Sequence, residues 1–214
     1  MNIFVLSESP IESAKMMIDK HVVKMPTETC QMLHTNVLYI QFIHNAGRKP
    51  ELKDLKKFHK NTNSTLMKPA MMNHPSTVWA RESEENFKWL YNHGIALCDE
   101  YYLRYRKEHG ARHRMMDCTS FIKNDWFKFP AINLTPFAIA ISSDMNCRKH
   151  PNFENMNTIE KYRTYYLEDK WKFASWKTKS PEWWPNNHIQ KKDQEWNNWL
   201  ESENERIRKY NNER

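Results

Sequence analysis

Three glycines in 214 residues leave nothing from which to build a phosphate-cradling loop or a nucleophile elbow, so the common nucleotide-binding and serine-hydrolase frameworks are excluded. No apolar run approaches the ~18 residues a membrane span needs. No basic leader followed by an apolar segment opens the chain, so neither secretion nor membrane insertion is expected. The four cysteines, Cys30, Cys98, Cys118 and Cys147, form no CxxC pair and read as reduced thiols, which places the protein in the cytoplasm. Ten histidines include no HExxH. His109 and His113 share an i,i+4 spacing but have no third ligand nearby, so no metal and no cofactor is expected.

What is present is polar, aromatic and helix-favouring: nine tryptophans, nine tyrosines and ten phenylalanines at a mean hydropathy of −0.92. The net charge of +7 lies entirely in the body, because the stretch from His188 to Arg214 carries six basic and six acidic residues. Between Arg48 and Lys68 seven Lys and Arg face only Glu51 and Asp54. Such a field selects an acidic polymer, nucleic acid before anionic membrane.

Along the chain, Asn2 to Leu6 reads as a short strand or an extended arm. Ser9-Pro10-Ile11-Glu12 is a helix start: a serine cap, a proline at the first helical position and a glutamate placed to close a capping box. Pro26 predicts a kink or two helices in series, and the apolar stretch Val37 to Ile43 continues a helix to the Asn45-Ala46-Gly47 break. A short amphipathic helix follows from Glu51 to His59. The strongest periodicity runs from Ser76 to Arg106, where Trp79, Phe87, Leu90, Ile95 and Leu97 share one side; it predicts a single long central helix with a core-facing aromatic stripe. Gly110 to Asn152 is irregular, with Trp126-Phe127-Lys128-Phe129-Pro130 inside it. Asn157 to Trp176 starts on a second capping box and interleaves aromatics with bases, a pattern that serves stacking on nucleic acid or packing on a basic surface. Trp196, Trp199, Leu200, Glu203, Ile207 and Tyr210 suggest a charged amphipathic C-terminal helix. The expected fold is mainly α, with residues 1–187 as a compact helical domain around the central helix and 188–214 as a charged helical tail.

The stretch Asp19 to Leu33 concentrates ionisable side chains. At ~100° per residue, Lys20, His21, Lys24, Glu28 and Gln31 fall together on one face, and Ile18, Val22, Met25, Met32 and Leu33 adjoin them as core. A solvated Lys/Glu face has the same spacing. The chemistry such a set can perform, with Asn73 and His74, is imine formation: an amine attacks a sugar C1′ while a carboxylate moves the proton and stabilises the cation.

Asp19-x-His21 followed by Glu28 resembles the first-helix pattern of the phage pyrimidine-dimer DNA glycosylases of the endonuclease V type, in which a histidine and, seven residues on, the catalytic glutamate share an N-terminal helix. His74 at a helix start is similar to that family's Gly-His entry to its central helix. Tyr162-Arg163-Thr164-Tyr165-Tyr166 resembles its aromatic, basic C-terminal segment, and Phe137 to Ile141 a shared apolar element. The family's nucleophile is the α-amine of an N-terminal threonine; here the second residue is Asn2, too large for efficient removal of Met1. About five extra residues precede the helix histidine, and Thr27 and Gln31 stand where the family has arginines.

The resemblance implies a DNA glycosylase and AP lyase acting on damaged or modified pyrimidines in double-stranded DNA, without cofactor. The catalytic candidates are Glu28, His21, Lys24, Lys20 and the Met1 amine. The nucleic-acid-binding candidates are Lys53, Lys56, Lys57, Lys60, His74, Arg81, Arg163, Tyr165, Tyr166 and Lys170. The alternative is a noncatalytic nucleic-acid-binding protein on the same helical scaffold. No membrane partner is expected, and a phage origin would place the protein in the host cytoplasm.

Overall fold

The computed structural model describes residues 1–124 and 127–212, and the side chains of 207 and 209–212 fall outside that description. Trp126, and the side chains of Ile207 and Tyr210 in the C-terminal pattern, therefore lie outside that description. The fold is a mainly α single domain without β-strands among the described residues; the isolated bridge between Ser83 and Ala131 is its β pairing.

Helix α1, Pro10–Met16, starts as its sequence dictates, with Ser9 accepting from the Glu12 amide at 3.4 Å. The reciprocal half of the expected capping box is absent, because the Glu12 carboxylate turns to Lys15 at 2.8 Å. Helix α2, Asp19–Ala46, is the 28-residue axis of the molecule and ends where Gly47 takes a left-handed φ of 64°. It runs through Pro26 unbroken. The expected break falls earlier, at Met17 and Ile18, which are extended. There Arg104 donates to the Met17 and Lys15 carbonyls at 2.7 and 2.9 Å, satisfying acceptors that a continuing helix would have used itself.

Helix α3 spans Leu52–Asn61. The single long helix expected from Ser76 to Arg106 is instead two, α4 at Pro75–Glu82 and α5 at Glu84–Tyr105. Ser83 stands between them in extended geometry and caps α5 by accepting from the Asn86 amide at 3.1 Å. The Glu84 and Glu85 amides donate to the Ala131 and Ile132 carbonyls at 2.9 and 3.0 Å. That distant segment is invisible to a periodicity count, which is why the apolar stripe reads as continuous.

Helices α2 and α5 pack along each other, and Gly94 marks their close approach: a Cβ there would meet Thr29 Cγ2 at 2.7 Å and Met115 Sδ at 2.5 Å. Val22, Met25, Met32, Leu33, Val37 and Leu38 of α2 and Phe87, Leu90 and Leu97 of α5 fill the core between them. Short helices α6, Ala111–Met116, and α7, Cys118–Ile122, close one end. Helix α8, Thr158–Tyr165, opens on the expected Asn157/Glu160 capping box and passes directly into a π turn, Tyr166–Lys170, and a 3₁₀ turn, Trp171–Phe173.

Residues 2–6 form an extended arm threaded into the core, all of them buried. Helix α9, His188–Asn212, leans on the body at its first turns. His188 hydrogen-bonds the Leu167 carbonyl at 2.9 Å, and Lys192 pairs with Glu168 at 2.7 Å.

Candidate active site

The arm is placed by its second residue. Asn2 Oδ1 accepts from the Ile3 and Phe4 amides at 2.7 and 3.1 Å, while Nδ2 donates to the Ala140 carbonyl at 2.8 Å. The Ala140 amide in turn donates to the Tyr162 hydroxyl at 3.0 Å. Phe4 adopts φ 41°, the left-handed region that a bulky side chain avoids, a strain of order 1 kcal/mol held by the surrounding packing. Two residues on, the Leu6 carbonyl accepts two bonds from Arg163 at 3.1 and 2.8 Å.

This threading delivers the Met1 α-amine to the middle of α2. Its nitrogen lies 3.7 Å from one Glu28 carboxylate oxygen, and Lys24 Nζ lies 3.0 Å from the other. The Met1 and Glu28 side chains are 5% and 17% exposed, whereas Lys24 is 69% exposed. His74 is the third neighbour. It caps α4, its Nδ1 accepting from the Ser76 amide at 3.2 Å, which leaves Nε2 as the protonated ring nitrogen. Burial first and the Met1 amine second hold its pKa below the ordinary histidine range, and Glu28 opposes them. An amine, a carboxylate, a neutral imidazole donor and a solvent-facing lysine thus converge from the arm, α2 and the start of α4.

His21 does not join that group. It is buried, stacked on Phe4 at 4.2 Å and hydrogen-bonded through Nδ1 to the Tyr166 hydroxyl at 2.6 Å. Burial, with Lys170 and Lys24 nearby, pushes its pKa down to about 3, so it is neutral under ordinary conditions. The wheel put His21 on the reactive face because it cannot show that Phe4 and Tyr166 cover that side of the first turn. Lys20 is also apart from Glu28, its ammonium lying 4.8 Å from the centre of the Phe173 ring.

The remaining candidates divide by exposure. Lys53, Lys56, Lys57 and Lys60 project from α3. Lys53 pairs with Glu51 at 2.9 Å, and Lys56 and Lys60, with His59 and Lys68, line a cleft of ≈ 610 Å³. Arg81 is half-buried over the Tyr39 ring and donates to the Met72 carbonyl at 2.7 Å and to Asn36 at 3.3 Å, bracing the segment that carries His74. Arg163 is turned inward onto Leu6. Tyr166 lies fully within the core, out of reach of any base, and Tyr165 is 8% exposed under Lys170. Asn2 as anchor of the arm and Asp19 as a latch to Arg104, Ser175 and Lys177 were not readable as such: both act through partners 85 or more residues away. Among the described residues no group of three or more His, Cys, Asp and Glu is placed to hold a metal ion, and no helix is long and apolar enough to cross a membrane.

The family model for pyrimidine dimer DNA glycosylases matches residues 1–113, which contain Met1, Glu28 and His74. The chain belongs to that family. Membership implies a DNA glycosylase for pyrimidine dimers, with DNA as substrate. No curated protein and no solved structure matches the chain.

Proposed function

We propose that the protein excises damaged pyrimidines from double-stranded DNA in the cytoplasm by amine chemistry, with the Met1 α-amine as nucleophile and Glu28 as proton carrier. The observation that carries this reading is the 3.7 Å approach of the Met1 α-amine, anchored by a buried side chain, to a largely buried carboxylate. The amine nitrogen bonds to C1′ of the damaged nucleotide, the glycosidic bond breaks, and the base leaves with its electron pair and takes up a proton. Glu28 accepts the proton lost by the amine, and its charge stabilises the iminium ion formed as the sugar ring opens. Removal of a C2′ proton then expels the 3′ phosphate, which is the lyase step.

Lys24 offers a second amine at 3.0 Å from the same carboxylate. Its exposure places it at the solvent-facing rim of the site, where a phosphate contact suits it better. Lys56, Lys57 and Lys60 on α3 would meet the backbone of the flanking duplex. His74, presenting Nε2–H, would donate to the sugar or its phosphate. Arg81 and Arg163 support these groups from behind.

The test is Glu28→Gln. Under this reading it lowers single-turnover excision by about 10²–10⁴-fold, the usual weight of positioned proton transfer, and leaves the affinity for dimer-containing duplex within about threefold. Excision at the wild-type rate would remove Glu28 from the chemistry, and wild-type protein that binds the duplex without excising anything would return the scaffold to a noncatalytic nucleic-acid-binding role.

A further inference from the structure

Lys20 and Lys170 are 150 positions apart in the sequence and end on the same aromatic ring. The Lys20 ammonium lies 4.8 Å and the Lys170 ammonium 5.9 Å from the centre of Phe173, and Lys170 also sits 4.3 Å from the centre of the Tyr165 ring. Neither has a carboxylate within ion-pair distance among the described residues. This is not for want of acids, since each lysine follows an aspartate in the sequence.

Both aspartates are committed elsewhere. Asp19 accepts from Arg104, Ser175 and the Lys177 amide at about 3.1 Å in each case. Asp169 accepts from the Asn146 and Cys147 amides at 2.8 and 2.9 Å, and the neighbouring Glu168 is paired with Lys192. The shared aromatic face is a weak partner for two cations that have no anion beside them, about 0.5–1 kcal/mol at an exposed site. The π turn Tyr166–Lys170 is what sets Lys170 there. Such turns insert one residue into a helix and so redirect the side chains that follow.

The site lies beside the reacting centre. Lys20 is one helical turn before Lys24, whose ammonium holds Glu28, and His21 between them feels both Lys24 and Lys170. In this chain Thr27 and Gln31 flank Glu28 and bring no positive charge to it.

We infer that Lys20 and Lys170 are a preassembled clamp for one backbone phosphate of the DNA strand under attack, poised on Phe173 and Tyr165 and completed only when the phosphate enters between them. Lys20 is thereby a binding residue and not a nucleophile. Lys170, from beyond the matched 1–113, completes a site that those residues begin. The inference rests on the glycosylase reading for the identity of the strand, but its readout is binding.

The experiment measures affinity for a dimer-containing duplex in which single phosphates near the lesion are replaced, one at a time, by neutral methylphosphonates. Lys20→Gln and Lys170→Gln should each weaken binding to the unmodified duplex about tenfold and lower its log–log salt slope by about 1, while Lys20→Arg and Lys170→Arg restore it. At one phosphate, the same for both lysines, neutralisation should cost the wild type more than either single substitution does, and cost the Lys20→Gln/Lys170→Gln double variant nothing further. Penalties that stay additive at every phosphate, or glutamine variants that bind like wild type, would overturn the clamp. Neither of those results touches Glu28→Gln, whose effect on excision is read separately.

Discussion

Residues 1–113 and the remainder of the chain divide the work unequally. The first part supplies every group of the proposed reacting centre: the Met1 amine, Lys24, Glu28 and His74. The second supplies the surfaces that fix them. Ala140 and Tyr162 hold Asn2, Arg163 holds Leu6, Tyr166 holds His21, and Ser175 with Lys177 holds Asp19 at the start of α2. A reactive group can be written locally, whereas its position is fixed by contacts more than a hundred residues distant, because an arm of six residues has no fold of its own. The comparison makes the second part a set of props whose removal misplaces chemistry it does not perform.

The largest break in that arrangement should come at Asp19. Its carboxylate faces the fully buried Arg104 guanidinium at 3.1 Å, with Glu100 at 2.9 Å completing the network. Asp19→Ala leaves part of a buried positive charge uncompensated and should cost about 3–5 kcal/mol, read as a lowered denaturation midpoint with an unchanged slope. A loss below about 1 kcal/mol would mean that Glu100 alone compensates Arg104 and that Asp19 does not latch the start of α2.

Acid should separate the parts next. Burial, with Lys170 and Lys24, pushes the His21 pKa down to about 3, and burial pushes the His93 pKa down to about 4, against 6.5 for a free side chain. The unfolded chain therefore takes up protons near pH 6.5 that the folded protein refuses. Stability should be level above about pH 7 and fall as pH drops from 6.5 toward 4, by up to about 1.4 kcal/mol per pH unit for each histidine. His21→Gln should make that fall shallower in chemical denaturation at stepped pH; an unchanged slope would remove His21 from the linkage.

The smallest effect belongs to α3. Lys56→Ala, Lys57→Ala and Lys60→Ala together should lower the salt slope of duplex binding by up to about 3, with a uniform loss across sequences and little change in excision of bound substrate. Lys53→Ala should do less, because Glu51 already neutralises it. Equal effects from all four lysines would show that this pairing does not survive in solution.

How much of this was legible depends on how far apart the partners lie. The Ser9 cap with Pro10, the Gly47 stop, the Asn157/Glu160 box and the C-terminal helix from His188 are encoded within four residues of where they act, and sequence reading finds them. The break at Ser83 depends on Ala131 and Ile132, and the one at Met17 on Arg104, so periodicity carried straight through both. Pro26 misled in the opposite sense: packing of Val22 and Met25 holds α2 together across a missing hydrogen bond. At the site, Glu28 and His74 were readable by resemblance. The burial of His21 and Tyr166 was not, since a wheel shows which residues share a face and not what lies against it. The meeting of Lys20 with Lys170 depends on a π turn that leaves no mark in composition.

The most direct test of the central claim is borohydride trapping of wild-type protein on a labelled duplex containing a pyrimidine dimer or an abasic site, followed by mapping of the adduct. Imine chemistry at the arm predicts a covalent complex on both substrates, none on undamaged duplex, and the crosslink on the peptide that begins with Met1. An adduct on Lys20 or Lys24, or none on any duplex that the protein measurably binds, would contradict it.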